Sequence, residues 1–207
     1  MNFYIDFDNT LYETSRLSKD MVMEISKYIV DKYPDKNIDE TYDEVKSMFN
    51  REHIYNIYNL ARYFAEKYNL NSEEMVDSVE SIILDGKKYV FEDSISFLKK
   101  VKDGENILNI LTYVAQEDLA YQLTKIKGSG LSQYFDNIFI VSKNKFELGL
   151  KYEEGIFIDD SPKDLRGLAS KKPLKLIRIR RESNKYSKEE VEIENMIEYK
   201  SLSEVDL

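Results

Sequence analysis

The sequence predicts an α/β fold: a parallel sheet with helices on both faces and a helical insertion after the first strand. Three observations carry this reading. Four short apolar runs, Phe3 to Ile5, Ile107 to Leu111, Ile138 to Val141 and Gly155 to Ile158, have strand composition and end in polar residues. Helically spaced segments separate them, and such alternation makes a parallel sheet. Between the first and second runs, helical spacing continues from about residue 16 to residue 89, more than one crossover helix requires.

The first strand runs into Asp6-Phe7-Asp8-Asn9-Thr10-Leu11. Two carboxylates at a strand end repel each other and lose hydration unless they share a cation or a proton. In open α/β sheets this edge is also where ligands bind. Within the insertion, Ser18 and Asp20 precede Met21, Ile25, Ile29 and Val30, which predicts a helix ended near Tyr33-Pro34. Asp39 starts a second segment with Tyr42, Val45 and Met48 on one face. A third carries Ile54, Ile57, Tyr58, Ala61, Phe64 and Ala65, and a fourth follows Asn71-Ser72 with Met75, Val76, Val79 and Ile82 before Gly86.

The sheet then resumes. A helix through Ile95, Phe97, Leu98 and Val101 leads to the second strand, which delivers Thr112. A helix around Leu119 to Ile126 is expected to stop at Gly128. The third strand is followed by Ser142, Lys143, Asn144 and Lys145, with a helix expected from Phe146-Glu147-Leu148. The fourth delivers Asp159-Asp160, and Ser161-Pro162 suits a helix start. Leu174 to Ile179 reads as a strand near the sheet edge, with Lys171, Lys172, Lys175, Arg178, Arg180 and Arg181 as solvated, protective charges.

Composition narrows the chemistry. A chain of 207 residues, 42% hydrophobic and 33% charged, suits one globular domain or a core with a small insertion. There is no apolar run of membrane-spanning length, and Asp6 comes too early for a signal peptide, so a soluble cytoplasmic protein is expected. The absence of cysteine excludes disulfides, thiolate metal sites and cysteine nucleophiles, and the single His53 excludes a histidine cluster. A metal would sit among oxygen ligands, which favours magnesium. A net charge of −9 argues against general nucleic-acid binding.

Four strand ends thus carry, in order, an acid pair, a hydroxyl, a lysine and a second acid pair. In Asp6-Phe7-Asp8-Asn9-Thr10-Leu11, Thr112, the lysine after the third strand and Asp159-Asp160, the chain resembles the haloacid dehalogenase (HAD) superfamily, in its phosphatase branch, from Phe3 to the Ile197–Val205 region. The resemblance implies a Rossmann-like core, residues 1–15 and 90–207, and a helical C1 cap, residues 16–89, hinged near 14–17 and 88–93.

It also implies roles. Asp6 is the nucleophile that forms an aspartyl phosphate, and Asp8 is the general acid and base. Mg2+ is held by the Asp6 carboxylate, the Asp8 main-chain carbonyl and Asp159, with Asp160 binding through water or positioning that shell. Thr112 donates to a phosphoryl oxygen, and the lysine neutralises charge. Lys143 and Lys145 are both candidates; Lys145 is preferred because it directly precedes the expected helix, and the family's frequent Lys-Pro pair is absent. Tyr113 departs from the small residue of many relatives. Arg51, His53, Asn56, Asn59 and Arg62 are cap candidates for specificity, although polar helix residues usually form a solvated face.

The implied substrate is a small phosphorylated metabolite, with nucleoside monophosphates first and sugar phosphates and phosphoglycolate close behind. A phosphomutase using the same intermediate is the nearest alternative, followed by a non-catalytic binding protein. Dehalogenation is disfavoured, because dehalogenating relatives lack an acid at the position of Asp8. A signalling receiver domain orders its acids and lysine differently.

Overall fold

In a computed structural model, residues 1–51, 56–115, 118–147, 155–169 and 174–206 are described. Among them, six strands form one all-parallel sheet: β1 (Asn2–Ile5), β2 (Ile107–Tyr113), β3 (Asn137–Val141), β4 (Gly155–Asp159), β5 (Leu174–Ile179) and β6 (Met196–Tyr199). The spatial order is β3-β2-β1-β4-β5-β6. The chain leaves β1 for β2 on one side and later returns to β4 on the other. The crevice between β1 and β4 is therefore the switch point where open α/β sheets bind ligands.

Register places the motif residues together. Ile5 pairs with Ile110 of β2 and Ile158 of β4. Asp6 therefore leaves the sheet beside the ends of both neighbours, and its N–H still donates to the Ile158 carbonyl at 2.9 Å. The period of two assigns the faces. Phe3, Ile5, Ile110, Ile156, Ile158 and Ile177 enter one apolar cluster, while Tyr4, Leu111, Phe157 and Leu176 enter another. The second is covered by Leu165 and Leu168 of α7 (Pro162–Ala169). The first is covered by α5 (Glu92–Asp103), through Phe97, Leu98 and Val101, and by α6 (Leu119–Ser129), through Ile126.

The segment after β1 forms α1 (Thr14–Lys32), α2 (Ile38–Arg51), α3 (Ile57–Lys67) and α4 (Ser72–Leu84). Asn71 caps α4 by accepting from Glu73 N and Glu74 N at 3.0 and 3.3 Å, satisfying N–H groups the first turn leaves orphaned. The two connections to the core run side by side: Glu13 N donates to Tyr89 O at 2.7 Å and Phe91 N to Leu11 O at 3.1 Å. Leu17, Ile25, Leu60, Phe64 and Val79 join the same apolar cluster as Phe3 and Ile5, so the inserted helices and the sheet share one core.

Three local expectations change. Gly128 does not stop α6. The helix runs to Ser129, and Gly130 caps it at φ 69°, a left-handed conformation that glycine adopts without strain. Gly128 is instead a contact point, because a Cβ there would lie 2.1 Å from the Ile83 carbonyl oxygen of α4. After β3, Lys145–Glu147 is one 3-10 turn where an α-helix was expected, and Leu148 lies outside the described residues.

The basic stretch is also less solvated than its composition suggests. Arg178 is fully buried and donates to the Glu189 and Tyr186 carbonyls, both at 2.8 Å, and to Glu198 at 2.9 Å. Strand alternation turns it under the loop leading to β6, where those carbonyls need donors. Lys171 and Lys172 lie outside the described residues.

Gly128→Ala is expected to destabilise the protein. Alanine favours a helix by about 1 kcal/mol over glycine, but here the added methyl meets backbone, and overpacking of this kind costs about 1–3 kcal/mol. Denaturant melts should show a lower midpoint, whereas an unchanged or raised midpoint would refute this close packing of α4 on α6.

Candidate active site

The turn after β1 is wound tightly. Leu11 N and Tyr12 N both donate to Phe7 O at 3.1 Å, and Asn9 N donates to Tyr12 O at 2.7 Å. Asn9 has φ 60°, which asparagine tolerates better than most residues, and its side chain accepts from Ser15 N and Oγ at 3.3 and 3.1 Å. Phe7 is buried and stacks on Tyr12, with ring centroids 4.9 Å apart. Alternation then points Asp6 and Asp8 away from Phe7. From outside, Arg181 donates twice to the Thr10 carbonyl, at 3.1 and 2.9 Å, while pairing with Asp93 at 2.8 Å.

Asp6, Asp159 and Asp160 meet in a buried cluster, each offering a carboxylate oxygen within 4.8 Å of the others. Lys145 Nζ lies between two of them, donating to Asp6 Oδ1 at 2.6 Å and Asp159 Oδ2 at 2.7 Å, with Asp164 at 3.7 Å. Asp159 Oδ1 accepts from Ser161 N at 2.8 Å, and Asn184 donates to Asp160 Oδ2.

Burial dominates the electrostatics. It pushes Asp6 well above the carboxylate range against the attraction of Lys145, and Asp159 and Asp8 push the same way. Burial likewise raises Asp159 and Asp160, each to about 7. It works against charge on Lys145, but Asp159 and Asp6 overcome it and hold the ammonium well above its ordinary value. Three carboxylates against one ammonium leave a deficit of positive charge that a cation or retained protons must fill. An all-oxygen donor set fits a hard divalent cation.

Asp8 stands apart from this cluster. Its Oδ1 accepts from Lys125 Nζ and Thr14 Oγ1, and its Oδ2 accepts from Gln122 Nε2 at 2.7 Å. Burial raises this carboxyl, but Lys125 and the donated hydrogen bonds outweigh it and hold Asp8 below the ordinary range. Thr112, at the end of β2, is buried, and its Oγ1 accepts from the same Gln122 nitrogen at 3.1 Å.

The residues expected from the sequence therefore fall into two adjoining groups. Asp6, Lys145, Asp159 and Asp160 form one, and the side chains of Asp8 and Thr112 form the other, linked by Gln122. Lys143 is exposed, whereas Lys145 is buried in the cluster, and Tyr113 is half-exposed. Among the inserted helices, Asn56 is occupied in capping α3, with its side chain accepting from Tyr58 N at 3.0 Å, and Arg62 donates to Asn59 at 3.2 Å. His53, Ile54 and the side chain of Arg51 lie outside the described residues.

Sequence reasoning missed Gln122, Lys125, Asp164, Asn184 and Thr14. A signal existed for two of them: Gln122 and Lys125 share the buried face of α6 with Tyr121 and Ile126, where a lysine needs a partner. Asn184 lies in an aperiodic loop and gave none.

No family model matches the sequence, and no curated protein does. Solved structures do. A HAD phosphatase from Thermococcus onnurineus aligns with a TM-score of 0.61 at 20% identity, covering 98% of this chain and 94% of that one. The magnesium-bound HAD-hydrolase YfnB from Bacillus subtilis gives 0.60 at 13%, over 98% and 95%. A 2-haloacid dehalogenase from Pseudomonas syringae pv. Tomato DC3000 gives 0.60 at 14%, over 98% and 94%. The chain has the fold of the HAD hydrolases.

The raised carboxylates predict a stability profile. Between the ordinary aspartate range and about 7, the folded chain binds more protons at Asp159 and Asp160 than the unfolded chain does. Stability of the metal-free protein should therefore fall as pH rises through that window. A divalent cation should raise the melting temperature at pH 8 and do so much less at pH 5, where protons hold the site. Equal stabilisation at both pH values, or none, would count against a cation site at these residues.

Proposed function

We propose that the chain is a magnesium-dependent phosphatase that hydrolyses a small phosphomonoester through an aspartyl phosphate on Asp6. The observation that carries this reading is the buried Asp6–Lys145–Asp159–Asp160 cluster with a separately held acid, Asp8, next to it in the chain. Asp6, Asp159 and Asp160 would hold the cation, which when bound offsets negative charge between nucleophile and phosphoryl group.

The chain's own residues account for the remaining steps. Asp6 attacks phosphorus in line as the bond to the leaving oxygen breaks, and Asp8 in its protonated form, the minor one beside Lys125, gives that oxygen a proton. Thr112 and Lys145 stabilise charge on the phosphoryl oxygens. Because the Thr112 oxygen already accepts from Gln122, its O–H is left to donate. Asp8 then takes a proton from water, which attacks phosphorus and releases inorganic phosphate and Asp6. The ion pair with Lys125 favours the ionised Asp8 required in this second half.

The same acid supports phosphoryl transfer over dehalogenation. Halide departs as a very weak base and needs no proton, whereas the alkoxide of a phosphomonoester does, and Asp8 is placed to supply it. Substrates of the expected class are small metabolites, nucleoside monophosphates first and then sugar phosphates and phosphoglycolate, in the cytoplasm.

Phosphate release from such a panel should require magnesium and stop with a chelator. Asp6→Asn should lower kcat/KM by a factor on the order of 10³ or more, since it removes the attacking group. Full activity in that variant would overturn the mechanism, and formation of an isomeric sugar phosphate without free phosphate would mark a phosphomutase.

A further inference from the structure

α6 has a second role besides covering the sheet. Its residue Lys125 is 2% exposed, lies over the Tyr121 ring at 4.9 Å, and forms its ion pair with Asp8. An ammonium placed this deep is costly unless a carboxylate and good geometry compensate it. Three residues before Lys125, about one helical turn, Gln122 sits on the same buried face and places its amide nitrogen between Asp8 Oδ2 and Thr112 Oγ1, at 2.7 and 3.1 Å. Only the nitrogen end can serve an ionised Asp8, so the amide orientation is fixed by the acid.

We propose that Gln122 and Lys125 are positioning residues that hold the Asp8 carboxylate for the acid–base half of the reaction. This rests on the phosphatase reading above. Lys125 anchors Oδ1 with a charge, while Gln122 meets Oδ2 with a neutral donor and ties Asp8 to Thr112. Oδ2 is the oxygen more easily released to a leaving group or water, because a neutral amide donor holds a carboxylate less strongly than an ammonium does. The phosphoryl-accepting Asp6 belongs to the other group of residues and depends on Lys145 instead.

That division supplies the test. Acetyl phosphate has a leaving group that needs no proton, whereas the panel ester that the wild type turns over best does. Rapid-quench measurement of label on Asp6 should show Lys125→Met still phosphorylated by acetyl phosphate, with the phosphoenzyme accumulating because its hydrolysis is about 10²-fold slower, the usual scale for a displaced acid–base group. Labelling from the alkyl ester should slow by about the same factor. Gln122→Leu should give the same pattern and decides the matter if Lys125→Met does not fold.

Equal losses with both donors in a folded variant would mean a structural role and overturn the proposal. Unchanged labelling and hydrolysis would overturn it too. A wild-type protein labelled by neither donor would instead sink the phosphatase reading, and this proposal with it.

Discussion

Three aspartates in a water-poor crevice make the organising constraint of this molecule. Asp6, Asp159 and Asp160 come from two strands far apart in sequence, and their mutual repulsion opposes the sheet pairing that brings them together. Lys145 relieves part of it by donating to one carboxylate from each strand. The residual imbalance is what suits the crevice to binding a cation.

Support for this crevice comes from well beyond the four strand ends. Arg181 grips the Thr10 carbonyl and Asp93, and Asp93 also accepts from Leu202 N at 2.7 Å. The loop after β1 is thereby braced by the chain's closing turn. Asn184 steadies Asp160, and α6 steadies Asp8 and Thr112. Each brace meets a polar atom that burial would otherwise leave costly.

Much of this was legible in the sequence, because strand composition and helical spacing are local signals. The apolar runs, the acid pairs that follow two of them, and the four inserted helices all follow from them. What was not legible depends on tertiary neighbours. Gly128 reads as a helix stop until Ile83 is seen against it. Arg178 reads as a surface charge until the Glu189 and Tyr186 carbonyls are seen above it. Gln122 and Lys125 share the apolar face of α6, but their partner, Asp8, lies more than a hundred residues away and no local pattern names it. A helix expected after Lys145 sets it apart from Lys143 in the sequence; the structure has a 3-10 turn there, and it is burial that distinguishes the two lysines.

The position of β1 also has a consequence for folding. This central strand, residues 2–5, pairs with residues 107–110 and 155–158, so its hydrogen bonds join distant parts of the chain. Such pairings carry a large loop-closure entropy before they return any stabilisation, which slows folding. The inserted helices, by contrast, fill the interval with near-neighbour contacts. Contacts made first within the insertion would shorten the loop that the β1–β2 pairing has to close.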